Sequence, residues 1–88
     1  MLTGVYPARK KNGESYFRAS ITYMNKHISL GSYSTEAKAH KAYQTARKVL
    51  DNKARYRIDN YPSSCPIPFQ KWVVLINARD NGIYIKNP

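Results

Sequence analysis

The sequence SYFRASITYMNKHISLGSYSTEAKAHKAYQTARKVL, Ser15–Leu50, decides the fold. Along its first part Phe17, Ala19 and Ile21 fall on one side, and Tyr16, Arg18, Ser20 and Thr22 on the other. That period of two belongs to a half-buried strand, because successive side chains point to opposite faces of a sheet. Lys26–Ser32 repeats it, with Ile28 and Leu30 inward and His27 and Ser29 outward. Gly31-Ser32-Tyr33-Ser34-Thr35 then turns into a helix, where Ala39, Ala42, Tyr43, Ala46, Val49 and Leu50 have the spacing of one helical face. Ser34 or Thr35 supplies the N-cap, and Glu36 suits the positive end of the helix dipole. Arg47 and Lys48 suit the negative end, and Asp51-Asn52 is the stop. Alanine at 39, 42 and 46 lets the helix approach the sheet closely. The helix covers one side of the sheet and leaves the other side bare.

Upstream, Gly4-Val5-Tyr6-Pro7-Ala8-Arg9 reads as an opening strand, which Pro7 confines to an edge because proline cannot donate to a ladder. Asn12-Gly13 is the favoured pair for a tight hairpin with positive φ at both central residues, so this strand pairs antiparallel with Ser15–Tyr23. The turn around Met24-Asn25-Lys26 lacks glycine, and Asn25 best tolerates the left-handed conformation there. The expected class is α+β: a three-stranded antiparallel β-sheet packed against one α-helix, with an extra C-terminal segment. Residues 1–62 make the domain, 63–68 a linker by composition, and 69–88 an extension. Phe69, Trp72, Val73 and Ile76 have helical spacing with Asn81-Gly82 as a stop. Trp72-Val73-Val74-Leu75-Ile76 is also strand-like, and Asn81-Gly82 would then turn a hairpin into Ile83-Tyr84-Ile85. The helix is slightly favoured, packed back on the domain or against a second copy, so homodimerisation through the extension stays open. Asn81-Gly82-Ile83-Tyr84 echoes Thr3-Gly4-Val5-Tyr6, a match too short to establish a repeat.

At 88 residues the chain makes one small domain, and a sheet backed by a single helix is about what it can bury. The single cysteine, Cys65, excludes an intramolecular disulfide framework and a zinc site made of cysteines, and fits a reducing compartment. No apolar run reaches signal-peptide or transmembrane length, so the expectation is a soluble, intracellular protein with no membrane partner. Fifteen Lys and Arg against five Asp and Glu give a net charge of +10. Twelve of the basic and three of the acidic residues lie within residues 1–58, so the excess belongs to the sheet-and-helix unit and not to a tail. A compact basic domain attracts polyanions, of which nucleic acid is the commonest in a cell.

Catalysis has few candidates. The five acidic residues are scattered without a pair placed for acid–base work, and no glycine-rich phosphate loop occurs. His27 and His40 have no Cys, Asp or Glu at ligand spacing, so neither metal nor cofactor is expected. The chain is not read as an enzyme. The bare face is different: Tyr6, Ala8, Tyr16, Arg18, Ser20, Thr22, His27 and Ser29 share it, with Arg9, Lys10, Lys11 and Lys26 around its edges. It carries no acidic residue. A sheet of this width enters a DNA major groove, where Arg pairs with guanine. Ser, Thr and His contact bases or phosphates there, Tyr packs on sugar, and basic residues at strand ends hold the backbone.

These residues resemble the Apetala-two/ethylene-response-factor (AP2/ERF) DNA-binding domain, also found beside bacterial and phage homing endonucleases. The matching string is Gly4-Val5-Tyr6, Phe17-Arg18-Ala19-Ser20-Ile21 and Leu30-Gly31-Ser32-Tyr33-Ser34-Thr35, then Ala37, Ala39, Ala42-Tyr43, Ala46 and Asn60-Tyr61-Pro62. It covers about residues 3–62. The resemblance implies a three-stranded sheet with one helix across its back, reading the DNA major groove through the sheet. The family's contact positions fall at Tyr6, Ala8 or Arg9, Arg18, Ser20, Thr22, His27 and Ser29. Tyr6 and Thr22 stand where arginines are usual and Ser29 where a tryptophan is, so the GC-rich target of the plant members does not carry over.

The expected function is therefore sequence-specific binding of double-stranded DNA, as a small transcriptional regulator or the targeting module of a mobile element. The compartment would be nucleoid or cytoplasm in a bacterium or phage-infected cell, and nucleus in a eukaryote. Arg18 is the first residue for base readout, with Thr22, His27 and Ser20 beside it; Lys10, Lys11 and Lys26 serve phosphates. Two alternatives remain. One is a single-strand or RNA binder stacking bases on Tyr6, Tyr16 and Tyr56. The other is a protein-interaction module with Trp72–Ile76 as its contact surface.

Overall fold

The computed structural model describes residues 2–82. Three strands, β1 (Val5–Arg9), β2 (Ser15–Tyr23) and β3 (Lys26–Tyr33), precede two helices, α1 (Glu36–Asp51) and α2 (Phe69–Asn81). The sheet order is β1-β2-β3 with both pairs antiparallel, the α+β meander expected of the alternation. Pro7 lies on the edge strand β1, opposite Phe17. Thr35 is the N-cap of α1, its hydroxyl accepting from the Lys38 N–H at 3.2 Å. The α1 face toward the sheet is Ala39, Ala42, Ala46 and Val49, all fully buried. Against it stand Val5, Ala19, Ile21, Ile28 and Leu30 from the strands. Gly4, at φ +78°, lies under the Tyr43 ring, and a Cβ built there would fall inside it.

Of the two hairpin turns, the second has Asn25 left-handed as expected, and the first departs from its expected form. Asn12-Gly13 does not form a two-residue turn, because only Gly13 has positive φ (86°). The Lys10 N–H donates to the Glu14 carbonyl and the Gly13 N–H to the Lys10 carbonyl, both at 2.9 Å, so the loop has three residues. The Asn12 Oδ1 accepts the Glu14 N–H at 3.0 Å, an Asx-type bond that braces this three-residue loop. Met24 (φ 51°) and Asn25 (φ 64°) instead make the tight turn, closed by the Tyr23–Lys26 pair.

Residues Phe69–Asn81 form a helix, ended by Gly82 at φ 66° with its N–H donating to the Asn77 carbonyl. The strand alternative is thereby replaced; its Ile83-Tyr84-Ile85 portion, and the echo of Thr3–Tyr6, extend outside the described residues. α2 packs on β3 and α1, so the core is larger than a sheet backed by one helix. Ile67, Trp72, Leu75, Ile76 and Ala78 belong to the same buried cluster as the strand and α1 residues. The segment 63–68, read as a linker, is tied down at both sides. The Tyr61 hydroxyl donates to the Ile67 carbonyl at 2.5 Å, and the Tyr33 hydroxyl lies 2.7 Å from the Pro66 carbonyl and 2.8 Å from that of Leu30. Burial, with the neighbouring Cys65 and Tyr61, pushes the Tyr33 phenol up to about 12, so it stays a donor. Burial also raises the Cys65 thiol, against a backbone hydrogen bond at Ile67.

Arg79 locks α2 to α1. Its side chain is 3% exposed, and it donates to the Val49 carbonyl at 2.8 Å, the Tyr56 carbonyl at 2.6 Å and the Asp80 carboxylate at 2.7 and 3.0 Å. These bonds satisfy a carbonyl of the last turn of α1, which has no partner within its own helix. The Arg79 hydrogen bond, opposed by desolvation and aided by the Arg79 and Lys53 charges, holds the Asp80 carboxyl below the usual carboxylate range.

Two outcomes follow from this packing. Ala42→Leu overpacks the seam between α1 and the sheet and costs about 1–3 kcal/mol in a thermal or urea melt; an unchanged midpoint would remove Ala42 from that seam. Because the folded-state pKa of Asp80 is depressed, its contribution is present above the unfolded value of about 3.9 and is lost as pH falls through the folded one. Asp80→Asn therefore flattens the acid limb of stability against pH below about pH 4 relative to the parent; identical acid limbs would dismiss the linkage.

Candidate nucleic-acid interface

Both helices lie on one side of the sheet, and the register defines what remains on the other. Across the strands the outward rows are Ala8–Tyr16, then Tyr6–Arg18–Ser32, then Ser20–Ser29, then Thr22–His27. All eight residues expected on the bare face are thus brought together. Ser32 joins them opposite Arg18, a position the plain alternation of β3 does not predict. The register shifts between Ala19 and Ser20, so that Ala19 faces Gly31 and Ser20 faces Ser29. The extra residue, Leu30, points into the core, and beyond it the inward and outward sets of β3 change places.

Tyr6, Arg18, Thr22, His27, Ser29 and Ser32 are exposed, while Ala8 and Tyr16 are half-buried. Ser20 differs. It is only 7% exposed, and its Oγ is buried without a hydrogen-bond partner among the described residues. Tyr6, Arg18, Ala19, Ser20, His27 and Ser29 line a shallow depression of about 310 Å³ in the middle of the face. The Tyr6 and His27 rings flank it with centroids 6.2 Å apart. Arg18 is steadied from one end: its Nη2 donates to the Tyr16 hydroxyl at 3.2 Å, and its guanidinium carbon lies 5.8 Å from that ring's centroid. The bond to Tyr16 takes one of the two Nη2 hydrogens; the other, together with Nε–H or Nη1–H, leaves the guanidinium one fork of parallel donors for a planar acceptor pair.

The basic residues around the face divide by position. Lys10 and Lys11 lie at the β1–β2 turn and Lys26 at the β2–β3 turn, all exposed, at opposite ends of the nine-residue β2. At about 3.3 Å per residue these ends are roughly 30 Å apart. Arg9 pairs with Ser15 and has the parity of Val5 and Pro7, so it belongs to the sheet edge on the helix side and not to the outward rows. No carboxylate lines the central depression. Glu14 lines a second depression, of about 370 Å³, with Lys10, Tyr16 and Ser32.

Other candidate groups are dispersed. Tyr56 is half-buried against Trp72, ring centroids 6.2 Å apart, and does not join Tyr6 and Tyr16 on the sheet. Trp72, Leu75 and Ile76 are buried in the core and present no contact surface. His40 is held by the Thr3 carbonyl at 3.1 Å and stacks on Tyr43. Among the described residues no group of three His, Cys, Asp or Glu side chains could hold a metal ion, and no helix is long and apolar enough to cross a membrane. Comparison with protein-family models, curated proteins and solved structures gives no match.

The buried Ser20 hydroxyl gives a stability test. Removing a polar group left unpaired in the interior relieves a desolvation cost, so Ser20→Ala raises stability by about 1 kcal/mol, or a thermal midpoint by several degrees. A lower midpoint would mean the hydroxyl is hydrogen-bonded in solution.

Proposed function

We propose that this chain binds double-stranded DNA sequence-specifically by laying the outer face of its sheet in the major groove. It would act as a small transcriptional regulator or as the targeting module of a mobile element. The observation that carries the reading is the central depression: Arg18, braced by Tyr16, beside Tyr6, His27 and Ser29, with no carboxylate in its lining. Three strands spaced about 4.8 Å apart are narrow enough for a groove about 12 Å wide. The Arg18 guanidinium supplies two parallel donors to guanine O6 and N7, the pairing that best separates guanine from other bases. Thr22, Ser29 and Ser32 offer hydroxyls of either polarity to base edges, and His27 a ring nitrogen. Lys10, Lys11 and Lys26 meet phosphates at the two ends of the face, supplying affinity without sequence preference.

Single-strand stacking has less support, since Tyr56 lies away from the sheet and Tyr16 is occupied by Arg18. A contact role for Trp72–Ile76 has less still, because its largest side chains are in the core.

The test is selection of bound duplexes from a random pool by the full chain at physiological salt, repeated with two variants. The parent recovers a motif. Arg18→Ala loses about 1–3 kcal/mol on that motif and relaxes preference at one base pair, whereas Lys11→Ala weakens all sequences alike and lowers the salt slope by about one. Recovery of unenriched DNA, or equal effects of both substitutions on every sequence, would reduce the protein to a non-specific binder. Failure to recover any duplex with folded protein would reject the reading.

A further inference from the structure

At the start of β1 the sheet has a notch. The β1 ladder begins with Val5 opposite Ala19, and the Ser20 N–H donates to the Gly4 carbonyl at 3.0 Å, whereas β2 and β3 continue through Thr22 and Tyr23. By the alternation of a strand, the Thr22 N–H turns to the same edge as that of Ser20, but β1 does not extend to meet it. α1 closes the notch from behind. Tyr43 packs over Gly4, and Arg47, one helical turn later, is exposed on the same flank of α1. The result is a cleft of about 240 Å³ lined by Thr3, Tyr6, Ser20, Thr22, Tyr43 and Arg47, with Gly4 and Ile21 at its floor and no carboxylate. Arg47 forms no ion pair or hydrogen bond with the described side chains. Tyr6 and Ser20, whose hydroxyl is buried and unpartnered, line this cleft and the central depression alike, so the two are neighbours.

We infer that this notch is a backbone phosphate site, in which Arg47 of α1 clasps a phosphodiester of the duplex at the β1 edge. The inference rests on the reading that the outer face lies in the major groove. A phosphodiester needs a positive charge and several converging donors. Arg47 supplies the charge, and the hydroxyls of Thr3, Thr22 and Tyr6 together with the Thr22 N–H supply donors around the opening. The position also follows from groove geometry, since a sheet inserted face-first meets the phosphate strands along its edges. Lys10, Lys11 and Lys26 lie at strand ends; Arg47 is the cation beside the free edge of β2. It is a helix residue contributing to a surface otherwise built from strands.

The test is the salt dependence of duplex binding by the full chain, measured for the parent, Arg47→Ala and Lys48→Ala. Lys48 is also exposed on α1 and carries the same charge but does not line the notch. Circular dichroism and a thermal melt establish that each variant is folded. Arg47→Ala is expected to reduce the slope of log affinity against log salt by about 0.9, the value for one phosphate contact, with the recovered motif unchanged and Lys48→Ala at the parent slope. Equal slopes for parent and Arg47→Ala, with the parent binding duplex, would overturn the notch site alone. An equal loss with Lys48→Ala would assign the effect to net charge and overturn it as well. No salt-dependent duplex binding by the parent would instead defeat the reading of the outer face, and this inference with it.

Discussion

The contact on which the rest depends is the close seating of α1 on the sheet through Ala39, Ala42 and Ala46. Side chains of one carbon bring the helix axis near the strands, so that Ile21, Ile28 and Leu30 fill the interface from the sheet side. Such a seam packs well but removes little apolar area from water, at roughly 25 cal/mol per Å². A chain of 88 residues has little else to bury unless a further element adds large side chains. α2 is that element. Trp72, Leu75 and Ile76, with Ile67 before them, extend the same core beside α1. Both helices thereby occupy one side of the sheet, and among the described residues no element covers the other side.

Polar groups then fix where α2 sits. Arg79 spends its buried guanidinium on two backbone carbonyls and the adjacent carboxylate. A buried charge is tolerable only when its donors are met in this way. Tyr33 and Tyr61 likewise direct hydroxyls at carbonyls of Pro66 and Ile67, so the passage between the helices is anchored although it has no regular structure. Apolar burial determines that α2 packs on this side; the hydrogen bonds determine its position along the seam.

The strands and α1 were legible because their apolar periods differ and each runs long enough to be counted. The tail was not settled by period, since Trp72-Val73-Val74-Leu75-Ile76 is apolar on every side, as expected of a helix buried on much of its surface. Arg79 left no sequence signal because its principal partners are backbone carbonyls, which every residue carries. At the second turn Asn25 is left-handed as expected and Met24 joins it there; at the first, Asn12 does not take positive φ, and its side chain bonds the following backbone instead. Most of the outer face followed from alternation. Ser32 did not, because Leu30 inserts an extra residue and reverses the parity beyond it. Ser20 was assigned to the correct face, but exposure depends on neighbouring strands as well as on parity, and the closely packed centre of the sheet buries it.

Small residues set distances on both sides of this sheet. On the inner face alanines bring α1 close. On the outer face Ala8, Ser20, Ser29 and Ser32 interrupt the larger Tyr6, Tyr16, Arg18 and His27, giving a surface with depressions in place of a hedge of long side chains. Short hydroxyl side chains form direct hydrogen bonds only when the backbone that carries them comes near its partner. A partner read through Ser29, Ser32 and Thr22 must therefore approach the strands more closely than one read through arginines and tryptophans. On the proposed reading, Thr22, Ser29 and Ser32 thus set docking depth as well as chemistry. Arg18 is the long cation of the outward rows, and the Tyr16 hydroxyl restrains it.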